Sequence, residues 1–242
     1  MIETVTRYFE KVVVVLNVGG MVDTSWFVKE KKIPAVLLAW QGGMEGGLAA
    51  AELLAGMGSP SGKLPDTFAA RLEDYPSSYN FHESDFYVDY TDDIYVGYRY
   101  FETIPGALAK VNYPFGFGLS YTQFDWQVVS VSEKLGQLLV QVDLTNVGKR
   151  PGKEVLQVYG MAPQGKLCKS KRHLLVFEKS RLLQPGETQR LRLAWKMEDM
   201  ASYDDLGKVK KSAYVLEQGD YFFYLGNSVE NVEKLDLSLI HI

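Results

Sequence analysis

The chain has 242 residues, 46% of them hydrophobic, which is enough to build the cores of one large or two ordinary domains. Its 26 Lys and Arg residues stand against 30 Asp and Glu residues, so its formal net charge is −4. This mild acidity excludes the usual electrostatic reason to expect nucleic acid or an anionic membrane as a partner. No apolar run approaches the roughly 20 residues that a membrane-spanning helix needs.

The chain has one cysteine, Cys168, so an internal disulfide is excluded and a thiolate metal site is not expected. The first residues contain the acidic Glu3 rather than a basic region followed by an apolar segment, so we expect no signal peptide here. Together these features favour a cytoplasmic location. The three histidines, His82, His173 and His241, are too few to predict a histidine-rich metal site.

Two continuous apolar runs in the first half, VVVVL at 12–16 and PAVLLAW at 34–40, predict strands. Their composition is typical of strands buried on both faces of a parallel sheet. A short helix after residues 23–25 and an alanine-rich helix over 48–57 with one apolar stripe complete an alternating α/β pattern. Only two strong strands precede residue 60, so either the domain is larger than this part of the chain or further strands follow residue 66.

Two glycine-containing turns in this half predict structure rather than ligand binding. The turn QGGMEGG at 41–47 lacks both the dinucleotide fingerprint and the Lys followed by Ser or Thr of a phosphate loop. We therefore expect its glycines to allow close packing of strand and helix, and we predict no nucleotide or other cofactor. The turn SPSGKLPDT at 59–67 places Lys63 and Asp66 where they could touch a ligand, although its composition is explained by turn formation alone.

Residues 92–102, DDIYVGYRYFE, alternate in the manner of a strand with aromatic side chains on both faces. Aromatic surfaces beside acids and Arg99 suit sugar binding, but we favour an interdomain β-ribbon. The acidic residues over 83–93 lack the spacing of a calcium loop, so we expect a solvated acidic loop and no metal.

The run YPFGFGLSYTQF at 113–124 predicts a seam between two folded units. Its glycines permit backbone angles closed to other residues, and its aromatic residues bring a large apolar surface for docking. After this run, short alternating stretches separated by turns predict an antiparallel sandwich; they cover 126–132, 137–147, 155–159, 174–177, 190–195 and 219–225. We therefore predict an α/β domain at 1–122 and an all-β, fibronectin type III-like sandwich at 123–242. His173 is expected at the surface or on an edge strand.

Five blocks of the first half resemble, in order, the signatures of glycoside hydrolase family 3. They are VVVVLN at 12–17, AWQGGMEGG at 39–47, PSGKLPDTF at 60–68, IYVGYRYF at 94–101 and PFGFGLSYT at 114–122. In the second half, NVGKRPGKEVLQVY at 146–159 and LQPGE at 183–187 resemble the fibronectin-like domain that accompanies this family. The resemblance covers nearly the whole chain and points to β-glucosidases.

The resemblance implies retaining hydrolysis of terminal β-linked glucosyl residues by two carboxyl groups about 5 Å apart. In this family the nucleophilic aspartate lies on a TIM-like barrel, for which this sequence has no strand and helix repeat. The acid/base glutamate lies upstream of the strand that matches 12–16, where only residues 1–11 stand here. We therefore expect both catalytic residues to lie outside this chain, the barrel to be its missing partner, and the chain to be inactive alone.

Three residues of this chain remain as candidate site residues. Glu45 is a carboxyl group beside the aromatic Trp40, which can raise a carboxyl pKa, but its place in the motif matches a structural turn. Neither Glu102 nor Asp66 is a better acid, since one carboxylate cannot run this mechanism alone. Trp40 and Arg99 are candidate substrate-binding residues, with core packing and an interdomain ion pair as their structural alternatives.

Two hypotheses of different classes follow from these observations. The chain is either part of a β-glucosidase, at whichever end the parent's domain order places it, or a free-standing module that binds carbohydrate or protein without catalysis. A large bare apolar surface would favour the first hypothesis, and a closed polar surface with an aromatic platform the second. The incomplete sheet and the apolar end LSLIHI at 237–242 favour the first.

Overall fold

The computed structural model describes residues 1–236, so His241 and the apolar end at 237–242 lie outside the described residues. The helices are α1 (Ile2–Tyr8), α2 (Ser25–Val28), α3 (Gly46–Leu54) and α4 (Tyr98–Thr103). The strands of the first half are β1 (Val13–Leu16), β2 (Ala35–Leu38), β3 (Phe68–Ala69) and β4 (Val111–Tyr113). Those of the second half are β5 (Phe124–Lys134), β6 (Gln137–Asn146), β7 (Val155–Met161), β8 (His173–Lys179), β9 (Thr188–Lys196), β10 (Ser202–Asp204), β11 (Ala213–Val215), β12 (Phe222–Gly226) and β13 (Val232–Lys234).

The first half is a partial α/β unit. Strands β1 and β2 pair in parallel, as their β-branched runs predict, while β3 and β4 form a separate antiparallel pair. The expected burial on both faces is wrong for this chain, because Val13 and Val15 are 50% and 43% exposed. The described residues supply no third strand to this parallel sheet and leave the outer face of β1 uncovered.

The segment 92–102 is not a β-ribbon, which corrects the sequence prediction. Gly97 takes the positive φ of 59° that glycine tolerates, and helix α4 begins at the next residue. Helical spacing then puts Tyr98, Phe101 and Glu102 together on the face that packs inward, with Phe101 and Glu102 buried. The four aromatic residues of this segment, Tyr95, Tyr98, Tyr100 and Phe101, fit the strand period and the helical period, and packing decided between the two.

The second half is the predicted antiparallel sandwich. One sheet has the order β13-β12-β7-β8 and the other the order β5-β6-β9. Alternate residues of β6 and β9 point into the core, among them Leu138, Val140 and Leu193, each without exposed surface. The six predicted runs coincide with β5, β6, β7, β8, β9 and β12, and His173 begins the edge strand β8 as expected.

Strand β7 is buried on both faces, which shows how the two halves meet. Leu156 and Val158 point into the sandwich core. Tyr159 points the other way, toward Tyr98 of α4, whose ring also stacks on Phe115 at 4.7 Å between centroids. The face of this sheet that points away from the sandwich core is therefore buried against the α/β half.

The aromatic and glycine-rich segment 113–124 lies between the halves, as its composition predicts. Its backbone bonds with Leu64 on one side and accepts the N–H of Val229 on the other. A Cβ at Gly116 would lie 2.7 Å from a side-chain oxygen of Gln157, and one at Gly118 would lie 2.2 Å from the carbonyl oxygen of Gly62. Only glycine permits such close approach at these two positions. Within residues 1–236, no helix is both long and apolar enough to cross a membrane.

Candidate functional site

The carboxyl ends of β1 and β2 are the candidate site. The two strands run in exact register from Val13 with Ala35 to Leu16 with Leu38, so their following loops emerge side by side. The N–H of Ala39 continues the pairing to the carbonyl of Leu16 at 2.9 Å. In open α/β sheets ligands bind outside the carboxyl ends of the strands, which makes these two loops the place to look.

Trp40 stands at this edge in an unusual backbone conformation. Its φ is +50°, in the left-handed region that side chains other than glycine rarely adopt. Such residues persist only where the surrounding structure holds them, and they occur preferentially at ligand sites. Trp40 is partly buried, so the residue keeps some contact with solvent at the strand ends.

Gln41 lies next to Trp40 and packs against the neighbouring loop. Its side-chain nitrogen is 3.1 Å from the position that a Cβ of Gly19 would take. The absence of a side chain at Gly19 therefore lets the two strand-end loops touch. Gln41 was not singled out from the sequence, because a glutamine in a glycine-rich turn carries no signal of its own.

Glu45 is exposed and immediately precedes α3, where its carbonyl accepts the N–H of Ala49 at 2.9 Å. Its side chain does not cap the helix. A Cβ at Gly42 would lie 2.7 Å from the Cα of Gly46, so the turn around Glu45 is closely packed. This geometry accounts for the glycines by packing alone, and the catalytic role of Glu45 stays a prediction without support from its environment.

Arg99 lies in the first turn of α4 and is partly buried. Burial lowers the pKa of His173, the Arg99 charge lowers it further, and the Asp199 carbonyl bonded to the imidazole opposes both effects. No hydrogen bond, ion pair or ring contact joins Arg99 to Trp40 within residues 1–236. The substrate-binding role of each stays a prediction, and the two do not form one described cluster.

Two polar residues considered in the sequence analysis, Lys63 and Glu102, form ion pairs with residues of the sandwich. The Lys63 ammonium pairs with Glu154 of the sandwich at 2.7 Å and donates to the Gly118 carbonyl at 3.3 Å. Buried Glu102 pairs with Arg172, whose Nε lies 2.9 Å from its carboxylate. Their partners lie far along the chain, so local sequence patterns could not predict these ion pairs. Asp66 is exposed.

Further bonds across the seam fix the orientation of the strand ends. Two backbone N–H groups of the sandwich donate to Tyr98 Oη at 2.7 Å and Thr103 Oγ1 at 2.8 Å. Three side chains bond main-chain carbonyls of the other half: Arg150 to Gly56, Lys179 to Ser61 and Ser59 to Pro151. The sandwich therefore acts as a rigid support for the α/β half.

Helix α3 and strand β1 each have exposed apolar side chains that nothing in residues 1–236 covers. Helix α3 has no buried residue, and its predicted inward stripe is open, with Leu48 and Leu54 each about half exposed. Met44 and Met57, at either end of the helix, are 100% and 76% exposed. Clustered exposed apolar side chains of this kind are a feature of interaction surfaces.

No group of three or more His, Cys, Asp or Glu side chains in residues 1–236 is arranged to hold a metal ion. Cys168 is free and exposed.

Comparisons with known proteins agree with this architecture. A family model described as "Glycosyl hydrolase family 3 C-terminal domain" matches residues 1–121, and one described as "Fibronectin type III-like domain" matches residues 154–229. Beta-glucosidase A of Butyrivibrio fibrisolvens is 59% identical over 98% of this chain, which spans 30% of that protein. The beta-glucosidase of Ruminococcus albus is 45% identical over 93% of this chain, which spans 23% of that protein.

Solved structures give the same result. The crystal structure of a beta-glucosidase from Paenibacillus barengoltzii superposes with a TM-score of 0.94 at 50% identity, covering 99% of this chain and 27% of that one. Beta-glucosidase 3B from Thermotoga neapolitana, solved in complex with glucose, superposes with a TM-score of 0.84 at 40% identity over 94% of this chain and 31% of its own. The chain thus spans less than a third of each of these relatives.

Proposed function

This chain belongs to glycoside hydrolase family 3, and from that premise we propose that it is the supporting, non-catalytic part of a retaining β-glucosidase. The whole enzyme would hydrolyse terminal β-linked glucosyl residues, with its nucleophile and its acid/base on sequence outside this chain. The observation that carries the proposal is the bare apolar surface of β1 and α3, which fits a missing catalytic domain docked against the α/β half. The alternative of a free-standing binding module would require that surface to be closed and polar.

We propose Trp40 as the contribution of this chain to the sugar site. Trp40 lies at the carboxyl edge of the sheet, is only partly buried, and has its backbone in the left-handed region. A ring in that position can stack against the apolar face of a pyranose bound between the two domains. Arg99, which is partly buried, stays a candidate substrate contact from the sequence.

The division into domains at 1–122 and 123–242 and the cytoplasmic location both stand as proposals from the sequence. The seam at 113–124 supports the first, because its backbone bonds to both halves.

The first experiment is hydrolysis of an aryl β-glucoside by the chain alone and by a chimera. In the chimera, this chain replaces the matching region of the Butyrivibrio fibrisolvens relative, with which it shares 59% identity. We expect no turnover by the chain alone and clear turnover by the chimera. Turnover by the chain alone that Glu45→Gln abolishes would contradict the proposal and identify Glu45 as a catalytic residue.

The chimera also separates the roles of Trp40 and Glu45. Replacing Trp40 with Ala removes a stacking surface, so we expect kcat/KM to fall by roughly tenfold or more, since one such contact contributes about 1.4 kcal/mol. Replacing Glu45 with Gln should change little, and so should the matched Glu52→Gln on the exposed side of α3. Circular dichroism and gel filtration of each chimera distinguish a lost contact from failed assembly.

A further inference from the structure

The hairpin of β10 and β11 is built around one buried carboxylate. Asp204 is 1% exposed, and its two oxygens accept four backbone N–H groups of the connecting loop at 2.6–3.0 Å, from Gly207, Lys208, Val209 and Lys210. Burial opposes the charge, but these donors outweigh it and lower the pKa of Asp204. A single ionised side chain therefore holds loop 205–212 in one shape at neutral pH.

Two tyrosines stand side by side on this rigid support. Tyr203 of β10 pairs directly with Tyr214 of β11, and their ring centroids are 5.2 Å apart at 61°. They are 52% and 76% exposed. Tyrosine offers a large apolar face and a hydroxyl group at little cost in side-chain entropy, which is why it is common in binding surfaces. The pair forms an aromatic surface open to solvent, here called the platform, made of two rings inclined at 61° to each other.

Loop 205–212, which follows Tyr203 and Asp204, carries more positive than negative charge. Lys208, Lys210 and Lys211 are all exposed there, against one exposed acid, Asp205. The chain as a whole is acidic, with a net charge of −4. Because the Asp204 carboxylate is enclosed by N–H donors, the outward face of the hairpin is positive and complements an anion.

We propose that this hairpin binds an acidic polysaccharide made of uronic acid residues. The apolar face of a uronate ring would lie on the Tyr203–Tyr214 platform, and its carboxylate would pair with the lysines of loop 205–212. A polymer repeats both features, so several weak contacts act together. The proposal uses no residue of the strand-end site and is independent of the proposed function. It would give the enzyme an anchor on a polymer distinct from the glucoside it cleaves.

The test is electrophoresis of the full chain through native gels that contain polygalacturonate or its methyl ester. The two polymers share a backbone, but esterification removes the charge. We expect retardation by polygalacturonate alone. Equal retardation by the ester, or none by either polymer, would overturn the proposal.

Two sets of variants assign the binding to the hairpin. We expect Tyr203→Ala with Tyr214→Ala, and separately Lys208→Ala with Lys210→Ala and Lys211→Ala, to weaken binding by roughly tenfold or more. Matched controls remove the exposed Tyr87 and Tyr90, or the exposed Lys11, Lys29 and Lys31, and should bind as the parent chain does.

A third polymer tests whether the hairpin recognises the sugar ring or only negative charge. Polyuridylate is a polyanion of another class, and binding to it as tight as to polygalacturonate would overturn the proposal, as would insensitivity to the tyrosine substitutions. Single charge reversals such as Lys210→Glu repeat the test where the triple variant fails to fold. The chimeric enzyme can replace the full chain in every arm.

Discussion

Lys63 joins the two halves of the molecule through one nearly buried ion pair. Its side chain and that of Glu154 are 12% and 10% exposed. The Glu154 carboxylate also accepts the N–H of Val155 at 2.7 Å and an amide N–H of Asn227 at 3.1 Å. An enclosed carboxylate that loses its cation remains desolvated, which makes removal of one partner more damaging than removal of both.

We predict that Lys63→Met lowers the free energy of unfolding by about 3 kcal/mol, measured by urea denaturation. The double variant Lys63→Met with Glu154→Gln should regain much of that loss, because no buried charge is then left without a partner. Arg190→Met is the control, since the Arg190–Asp143 pair lies on the exposed face of β6 and β9 and solvent screens it. Equal losses in the single and double variants would contradict this account.

The residues of the seam show what a sequence can and cannot reveal at this scale. Lys63 and Glu102 were visible as polar residues in motifs, but each is defined by a partner far along the chain, Glu154 and Arg172. Local pattern carries no information about such pairs. Trp40 was visible from its motif, whereas its left-handed backbone was not, because no turn rule places tryptophan there.

Strands with one buried and one exposed face were predicted well from the sequence. Helices whose position depends on packing against another element were not. Strands β6 and β9 have one face in the core, so a period of two fixes both their type and their register. Helix α4 was predicted as a strand because its aromatic residues fit either period. The exposure of α3 could not be foreseen, because an apolar stripe predicts burial without saying against what.

The loop between β7 and β8 depends on Glu217 in a way that pH should reveal. Burial raises the pKa of Glu217, but the Lys169 ammonium and the N–H groups of Lys166 and Leu167 outweigh it, so its pKa lies below the usual value. A carboxyl group with a lowered folded-state pKa stabilises the fold fully above its unfolded pKa of about 4.3. That contribution disappears as pH falls through the folded-state value.

We therefore predict that Glu217→Gln destabilises the chain at pH 7 and that its deficit relative to the parent chain narrows at pH 3. Urea denaturation at the two pH values measures both differences. Glu45→Gln, at an exposed position, is the control variant. A Glu217→Gln deficit that stays constant between the two pH values would contradict the assignment.

The open stripe of α3 predicts self-association of the chain. Leu48→Glu with Leu54→Glu should lower the weight-average mass in sedimentation experiments and leave the melting temperature unchanged, because both side chains are exposed. The same two substitutions in the chimera should reduce its aryl β-glucosidase activity, because they place negative charge where we propose that the catalytic domain docks. Phe177→Glu with Leu182→Glu, two exposed apolar residues of the sandwich, is the matched control and should change neither quantity. Equal effects of the two pairs would show that the stripe is ordinary surface.

At the scale of the whole molecule, the two halves differ sharply in core. Within residues 1–236, the sandwich has a cluster of seventeen buried hydrophobic residues, whereas the α/β half has a cluster of three around Phe101. The sandwich therefore has its own source of stability, and the α/β half relies on the seam and on whatever covers α3. The fold of the sandwich could be predicted from the sequence because its core is formed by its own residues.

We predict that hydrogen exchange reports this difference directly. Amides of the central strands β6 and β12 should be the most protected, and those of β1 and β2 should exchange far faster, because their sheet is open. In the chimera the protection of β1 and β2 should rise while that of β6 and β12 changes little. Uniform protection across the isolated chain would contradict the asymmetry.

The glycines of the seam also bear on how such enzymes can be recombined. At Gly118 even one added carbon would collide with the Gly62 carbonyl, and at Gly116 it would collide with Gln157 of the sandwich. A crossover between two related genes near residue 122 would therefore join surfaces shaped for different partners. A crossover upstream of this whole chain would leave the seam intact. The two halves should therefore be exchanged together between genes. Chimeric proteins in which the sandwich alone is exchanged should rarely fold.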